Sequence, residues 1–68
     1  MLLNAIGKSI KRRRKEINVT QPELARIAHV SVNTISQIES GKMNPSVMTL
    51  NKILDSLGMV IDIKIKEI

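Results

Sequence analysis

The stretch from Thr20 to Gly41, TQPELARIAHVSVNTISQIESG, leaves this chain the least conformational choice. Thr20 carries the hydroxyl of an N-cap, Pro22 stands just inside the helix start where a missing N–H costs nothing, and Glu23 completes a capping box. Leu24, Ile27 and Ala28 then fall on one face at helical spacing, with Ala25 beside them. Ser31 is the next N-cap, so the first of these helices must stop near His29 and the second runs from Val32 to about Ser40. Ile35 and Ile38 give the second helix its buried side, and Gly41 is expected to close it in the left-handed conformation. Two helices this short, joined by so tight a turn, cannot stack parallel and must cross at a large angle.

The flanking segments add two more helices. Leu3, Ile6, Ile10 and Ile17 follow helical spacing over about Leu3 to Glu16, with Asn4 or the chain start as cap. Five consecutive cations, Lys11-Arg12-Arg13-Arg14-Lys15, lie on that helix and cannot all point one way. Arg14 falls near the apolar stripe, while Lys11, Arg12 and Lys15 face solvent. The run reads either as a solvated basic face or as phosphate contacts from Lys11, Arg12 and Arg13, which would position the domain without reading sequence. Val19, just before the Thr20 cap, suits a hydrophobic staple. After a loop through Pro45, Ser46 caps a helix carrying Val47, Leu50, Ile53, Leu54 and Leu57 on one side, and Gly58 ends it.

Beyond Gly58 the hydrophobic period changes from 3.6 to 2: Ile61, Ile63 and Ile65 alternate with Asp62, Lys64 and Lys66, the pattern of a strand with one buried face. No other segment reads as a strand, and one strand cannot satisfy its own backbone or hide its edge. The simplest partner is the same strand of a twofold-related copy, through Ile61, Ile63 and Ile65; docking on a different protein is the alternative. The chain thus divides into a helical domain over 1–58 and a dimerisation strand over 59–68.

Composition narrows the partners. Sixty-eight residues make one domain with a marginal core. With no Cys and one His, neither a disulfide nor a metal is expected to staple it, and no cofactor is implied; oligomerisation is the staple that remains. No apolar run approaches the roughly 20 residues that span a bilayer, and the N-terminal charges follow the apolar part, the reverse of a signal peptide, so a cytoplasmic, nucleoid-associated location is expected. The net charge of +5 calls for an anionic partner. The absence of Phe, Trp and Tyr disfavours single-stranded nucleic acid, which is usually stacked on aromatic rings, and leaves duplex DNA. With no Cys, a lone His and no carboxylate pair placed in an obvious pocket, an enzyme is not expected.

Gln21, Ala25, the turn Val30-Ser31, Ile35, Ile38, Glu39 and Gly41 together resemble the motif of the Cro/phage-repressor (XRE) helix-turn-helix family, and the likeness runs from Ile6 to Gly58. The ending LDSLGMVIDIKI further resembles the small HipB-type antitoxins. The resemblance implies an all-α, lambda-repressor-like helix-turn-helix bundle of four to five helices with a C-terminal β-strand pairing across a homodimer. It implies a repressor of a pseudo-palindromic duplex operator, with a HipA-type kinase toxin as further partner; a stand-alone phage or restriction-control regulator is the alternative. Carried over by position, Gln21 holds the DNA backbone and braces the recognition helix, and Arg14 and Glu39 form a partly buried salt bridge between the first and third helices. Val32, Asn33, Ser36 and Gln37 become the base-contacting positions; Asn33 and Gln37, four apart, share a face, and either amide suits adenine, while Val32 suits a thymine methyl. Ser31, Lys42 and Asn44 join Gln21 at phosphates, Thr34 either faces phosphate or packs beside the turn, and the helix starts at Thr20 and Ser31 offer amides to the same groups. Where the family often has Gly in the turn, this chain has His29, which tolerates a left-handed backbone less well.

Overall fold

The computed structural model describes residues 2–62 and holds four helices there, of which the last three start on a local cap and all four stop on a recognisable local signal. They are α1 (Leu2–Glu16), α2 (Gln21–Ala28), α3 (Val32–Glu39) and α4 (Val47–Ser56). Thr20 caps α2 with the full reciprocal box: Glu23 N–H donates to Thr20 Oγ1 at 3.2 Å and Thr20 N–H to Glu23 Oε1 at 3.0 Å. That bond from the Thr20 backbone is the main reason the Glu23 carboxyl is held below its ordinary range. Ser31 and Ser46 cap α3 and α4 by accepting from Thr34 N at 3.0 Å and Thr49 N at 3.1 Å.

All four helices end in the same way. A residue with positive φ follows each one: Asn18, His29, Gly41 and Gly58. In every case the next amide reaches back over the last turn: Val19 N–H to Arg14 O, Val30 to Ala25, Lys42 to Gln37 and Met59 to Leu54, at 2.8–3.0 Å. This is the Schellman closure, which satisfies carbonyls that would otherwise be stranded. His29 takes the left-handed conformation directly (φ 59, ψ 44), so the α2–α3 turn forms without glycine.

α3 lies at the centre, packed by α1 and α2, while α4 closes against α2. The core is Ile10, Leu24, Ala25, Ala28, Ile35, Ile38, Ile53, Leu54 and Leu57, flanked by half-buried Ile6, Val19, Val30, Leu50 and Met59. Three residues expected on the buried faces of helices are exposed: Ile17 (38%), Ile27 (50%) and Val47 (73%). Ile17 falls one residue past the end of α1 and Val47 is the first residue of α4, so both overhang the core. Ile27 lies roughly 100° around α2 from the middle of the stripe made by Leu24, Ala25 and Ala28, at 100° per residue.

Four is the lower of the two expected helix counts, among the described residues. The strand expected from Met59 is not present over Met59–Asp62, which carry no ladder. A ladder needs a second extended segment, and α1 to α4 and their loops take up the other described residues. Ile61 is partly exposed (42%); Ile63 and Ile65 lie outside the described residues.

Candidate nucleic-acid interface

A charged network sits behind α3. Arg14, on the inner side of α1, donates from Nε to Glu39 Oε2 at 2.7 Å and from Nη2 to Glu39 Oε1 at 2.9 Å, a bidentate pair between two buried side chains. Its third donor, Nη1, reaches Val19 O at 2.9 Å, in the link between α1 and α2. Gln21, the first residue of α2, adds its amide Nε2 to Glu39 Oε1 at 3.1 Å. α1 and α2 therefore converge on a single carboxylate at the C-terminal end of α3, and Arg14 ties the same network to the link. Burial drives the Glu39 pKa upward, but the Arg14 and Gln21 hydrogen bonds and the guanidinium charge outweigh it and hold the carboxyl below its usual range. The same bond to Glu39 raises Arg14.

α1 approaches this end of α3 at Gly7, which is buried in mid-helix. A Cβ there would run into the Ile38 carbonyl oxygen and come within 2.8 Å of that of Glu39. A side chain at position 7 would hold the helices apart and stretch the Arg14–Glu39 bridge.

With its inner side fixed, α3 turns Val32, Asn33 and Ser36 outward as exposed residues, with Gln37 half-buried beside them. Ser31 Oγ and Thr34 Oγ1 lie 2.8 Å apart and share a hydrogen bond, so the two hydroxyls order each other at the helix start. Ser31 takes the Thr34 amide, leaving those of Val32 and Asn33 outside the cap. At α2 less is left over: Pro22 has no N–H and Thr20 takes that of Glu23, so of the first three amides only Gln21's is spare. The two helix starts expected to serve phosphates alike thus differ, and α3 has more to offer.

The expected cations do not form one group. Lys11 and Arg12 are exposed and, with Lys8 and Lys15, line a shallow depression along α1. Lys11 lies close enough to Glu39 to help stabilise its charge. Lys15 also borders the hollow at the start of α2, with Asn18, Thr20 and Gln21. Lys42 and Asn44 are exposed in the loop between α3 and α4. Arg13 is different: it is half-buried, and its Nε donates to Leu57 O at 2.9 Å, at the far end of α4. Sequence reasoning missed this bond and the approach at Gly7. A glycine inside a helix, which costs about 1 kcal/mol against Ala, was a signal for the second; nothing local signals the first.

Among the described residues, no group of three His, Asp or Glu side chains is placed to hold a metal, and no helix is long and apolar enough to cross a membrane. The Helix-turn-helix family model HTH_3 matches residues 10–61. The chain is 39% identical over 54 residues to the immunity repressor protein of Bacillus phage phi105, covering 79% of this chain and 38% of the repressor. It is 39% identical over 49 residues to an HTH-type transcriptional regulator of Methanothermobacter thermautotrophicus, covering 72% of this chain and 71% of that protein. In structure it resembles the clp gene regulator ClgR of Corynebacterium glutamicum, with a TM-score of 0.85 and 30% identity, over 90% of this chain and 78% of that one. A second ClgR crystal structure gives 0.82, with this chain spanning 63% of its length. The chain belongs to the helix-turn-helix family of DNA-binding transcriptional regulators, which are not enzymes.

Proposed function

We propose that this chain is a dimeric repressor that reads a pseudo-palindromic duplex operator with α3. The observation that carries the reading is the arrangement of α3: a small polar outer face backed by the Arg14–Glu39–Gln21 network. In the complex, Val32, Asn33, Ser36 and Gln37 meet base edges in the major groove, with an amide on adenine and the valine on a thymine methyl. Gln21, Ser31, Thr34, Lys42, Asn44, Lys11 and Arg12 meet phosphates, which set register without reading sequence. The domain is residues 1–58, and residues 59–68 pair with the same segment of a second copy, setting two recognition helices about 34–36 Å apart. The likeness to a phage immunity repressor and to ClgR supports a regulator of this kind.

The test is a titration of fluorescent duplexes from the DNA upstream of the gene. Protection of a twofold-related pair of half-sites is expected, with affinity falling by roughly 0.9 log units per decade of salt for each phosphate neutralised. Equal affinity for all duplexes, or a flat salt response, would overturn the reading.

A second reading rests on the ending LDSLGMVIDIKI, which resembles HipB-type antitoxins. In it the dimer also binds a HipA-type kinase toxin encoded beside it, in the cytoplasm and on the nucleoid. Stoichiometric co-purification with the product of the adjacent gene would support it. DNA binding with no such partner leaves a stand-alone repressor of the phage or restriction-control type.

A further inference from the structure

Consecutive arginines on α1 secure two different helix exits. Arg14 holds the carbonyl of Val19, where the chain leaves α1. Arg13 holds the carbonyl of Leu57, where it leaves α4, across 44 positions of sequence. The Schellman bonds at this second exit, Gly58 N–H to Asp55 O at 3.1 Å and Met59 N–H to Leu54 O at 2.8 Å, use only amide hydrogens. The Leu57 oxygen is left out of them and faces α1. Gly58 has φ +69 and no Cβ to restrict it, so the Leu57–Gly58 peptide plane is set by its two grips, the Asp55 carbonyl on the Gly58 N–H and Arg13 on the Leu57 oxygen. Arg13 lies beside it: a Cβ on Gly58 would be 3.6 Å from Arg13 Nη2.

The segment that follows runs along α1 itself. Leu2, Ile6, Ser9 and Arg13 recur at helical spacing and make one stripe. Leu2, Ile6 and Ser9 line the same groove as Met59 and Ile61, and Arg13 stands at its α4 end. We infer that Arg13 is a positioning residue for dimerisation: by fixing the Leu57–Gly58 peptide it lays the segment after α4 along this stripe and sets where the pairing segment begins. It is not a phosphate ligand. The inference rests on the dimer proposed above.

The test compares Arg13→Gln with Arg12→Gln, its exposed neighbour. Dimer dissociation is measured by sedimentation over a range of protein concentrations, and DNA affinity on an isolated half-site and on the full site at several salt concentrations. Arg13→Gln is expected to weaken the dimer by about tenfold, the order of one hydrogen bond to a charged donor, and to weaken full-site binding with it. Half-site affinity and its salt slope should not move. Arg13→Lys, whose ammonium can still reach the carbonyl, should recover most of the loss. Arg12→Gln should do the reverse, lowering the half-site salt slope by about one phosphate and leaving the dimer intact. A half-site loss with a reduced salt slope in Arg13→Gln would make Arg13 a phosphate ligand and overturn the inference. So would an unchanged dimer constant, whether or not the melting temperature falls. Wild-type protein that is monomeric at every concentration would remove the dimer reading as well.

Discussion

The helices α3 and α4 begin with nearly the same word, Ser-Val-Asn-Thr and Ser-Val-Met-Thr, and both close on a left-handed glycine. In each, the serine hydroxyl accepts from the threonine amide and also pairs with the threonine hydroxyl. Beyond those shared ends they part. α3 is held at its C-terminal end by Arg14, Gln21 and the Gly7 approach, while α4 is held by apolar packing and one hydrogen bond from Arg13. The outer first turn of α3 offers Asn33 beside Val32; that of α4 offers Val47 and Met48, both largely exposed. The difference teaches that a cap decides where a helix starts, and long-range polar ties decide which helix is fixed from behind, as the proposed reading of DNA by α3 requires.

The strongest way to break the comparison is to cut the tie specific to α3. Arg14→Met leaves the Glu39 carboxylate buried without its cation, and Glu39→Gln leaves the Arg14 guanidinium without its anion. Each is expected to cost about 3–5 kcal/mol in urea unfolding. That is comparable to the whole stability of a domain this size, at roughly 0.05–0.15 kcal/mol per residue. A double variant, Arg14→Met with Glu39→Leu, should lose far less than the sum, because it strands no charge. Additive losses would show that the two residues do not act as a pair.

The same carboxylate sets an acid limb. Its folded pKa is depressed, so the stability it contributes is full above the unfolded carboxylate value, near 4.3, and is lost as pH falls through the folded value. Melting temperature followed downward from pH 5 should therefore fall in the wild type and fall less in the Arg14→Met, Glu39→Leu double variant, which strands no charge. Parallel curves would remove Glu39 as a source of the acid sensitivity.

Gly7→Ala tests the approach of α1 to α3 by steric means. Alanine is the better helix former by about 1 kcal/mol, so the substitution would stabilise an exposed helix. Here the methyl meets the Ile38 and Glu39 carbonyls, and overpacking of that kind costs about 1–3 kcal/mol. A net loss of about 1 kcal/mol is expected, with a fall in DNA affinity as α3 shifts. A net gain in stability would mean that the helices separate freely at this point.

What was legible in the sequence follows the same division between local and distant. The caps at Thr20, Ser31 and Ser46 and the closing glycines at 41 and 58 depend on a few neighbouring residues, and the structure has them where the sequence indicates. His29 could be recognised as occupying a glycine's place because the family that the sequence resembles often has Gly at that turn, and the structure has His29 left-handed there. Asn18 takes the same conformation after α1, and Asn is the residue that best tolerates it after glycine. Ile27 and Val47 were misjudged because periodicity gives a face but not its width or its end. The cationic run gives no sign of the acceptor that Arg13 Nε finds 44 residues away. A charge run names a composition; which member turns inward is decided by whatever element ends beside it.

The finest test separates shared capping from what distinguishes the two helices. Ser31→Ala and Ser46→Ala remove the same hydroxyl from the same local word, so each should cost about 1 kcal/mol of stability, equal within a few tenths. In the proposed complex Ser31 also stands at the DNA, so Ser31→Ala should weaken operator binding at a temperature where both variants are fully folded, and Ser46→Ala should not. Equal losses of DNA affinity would mean that the start of α4 also bears on the duplex, and that the reading surface is wider than α3 and its flanking loop. Unequal losses of stability would locate the difference earlier still: the cap itself would then depend on the long-range ties behind α3, and the word Ser-Val-x-Thr would not be a local signal at all.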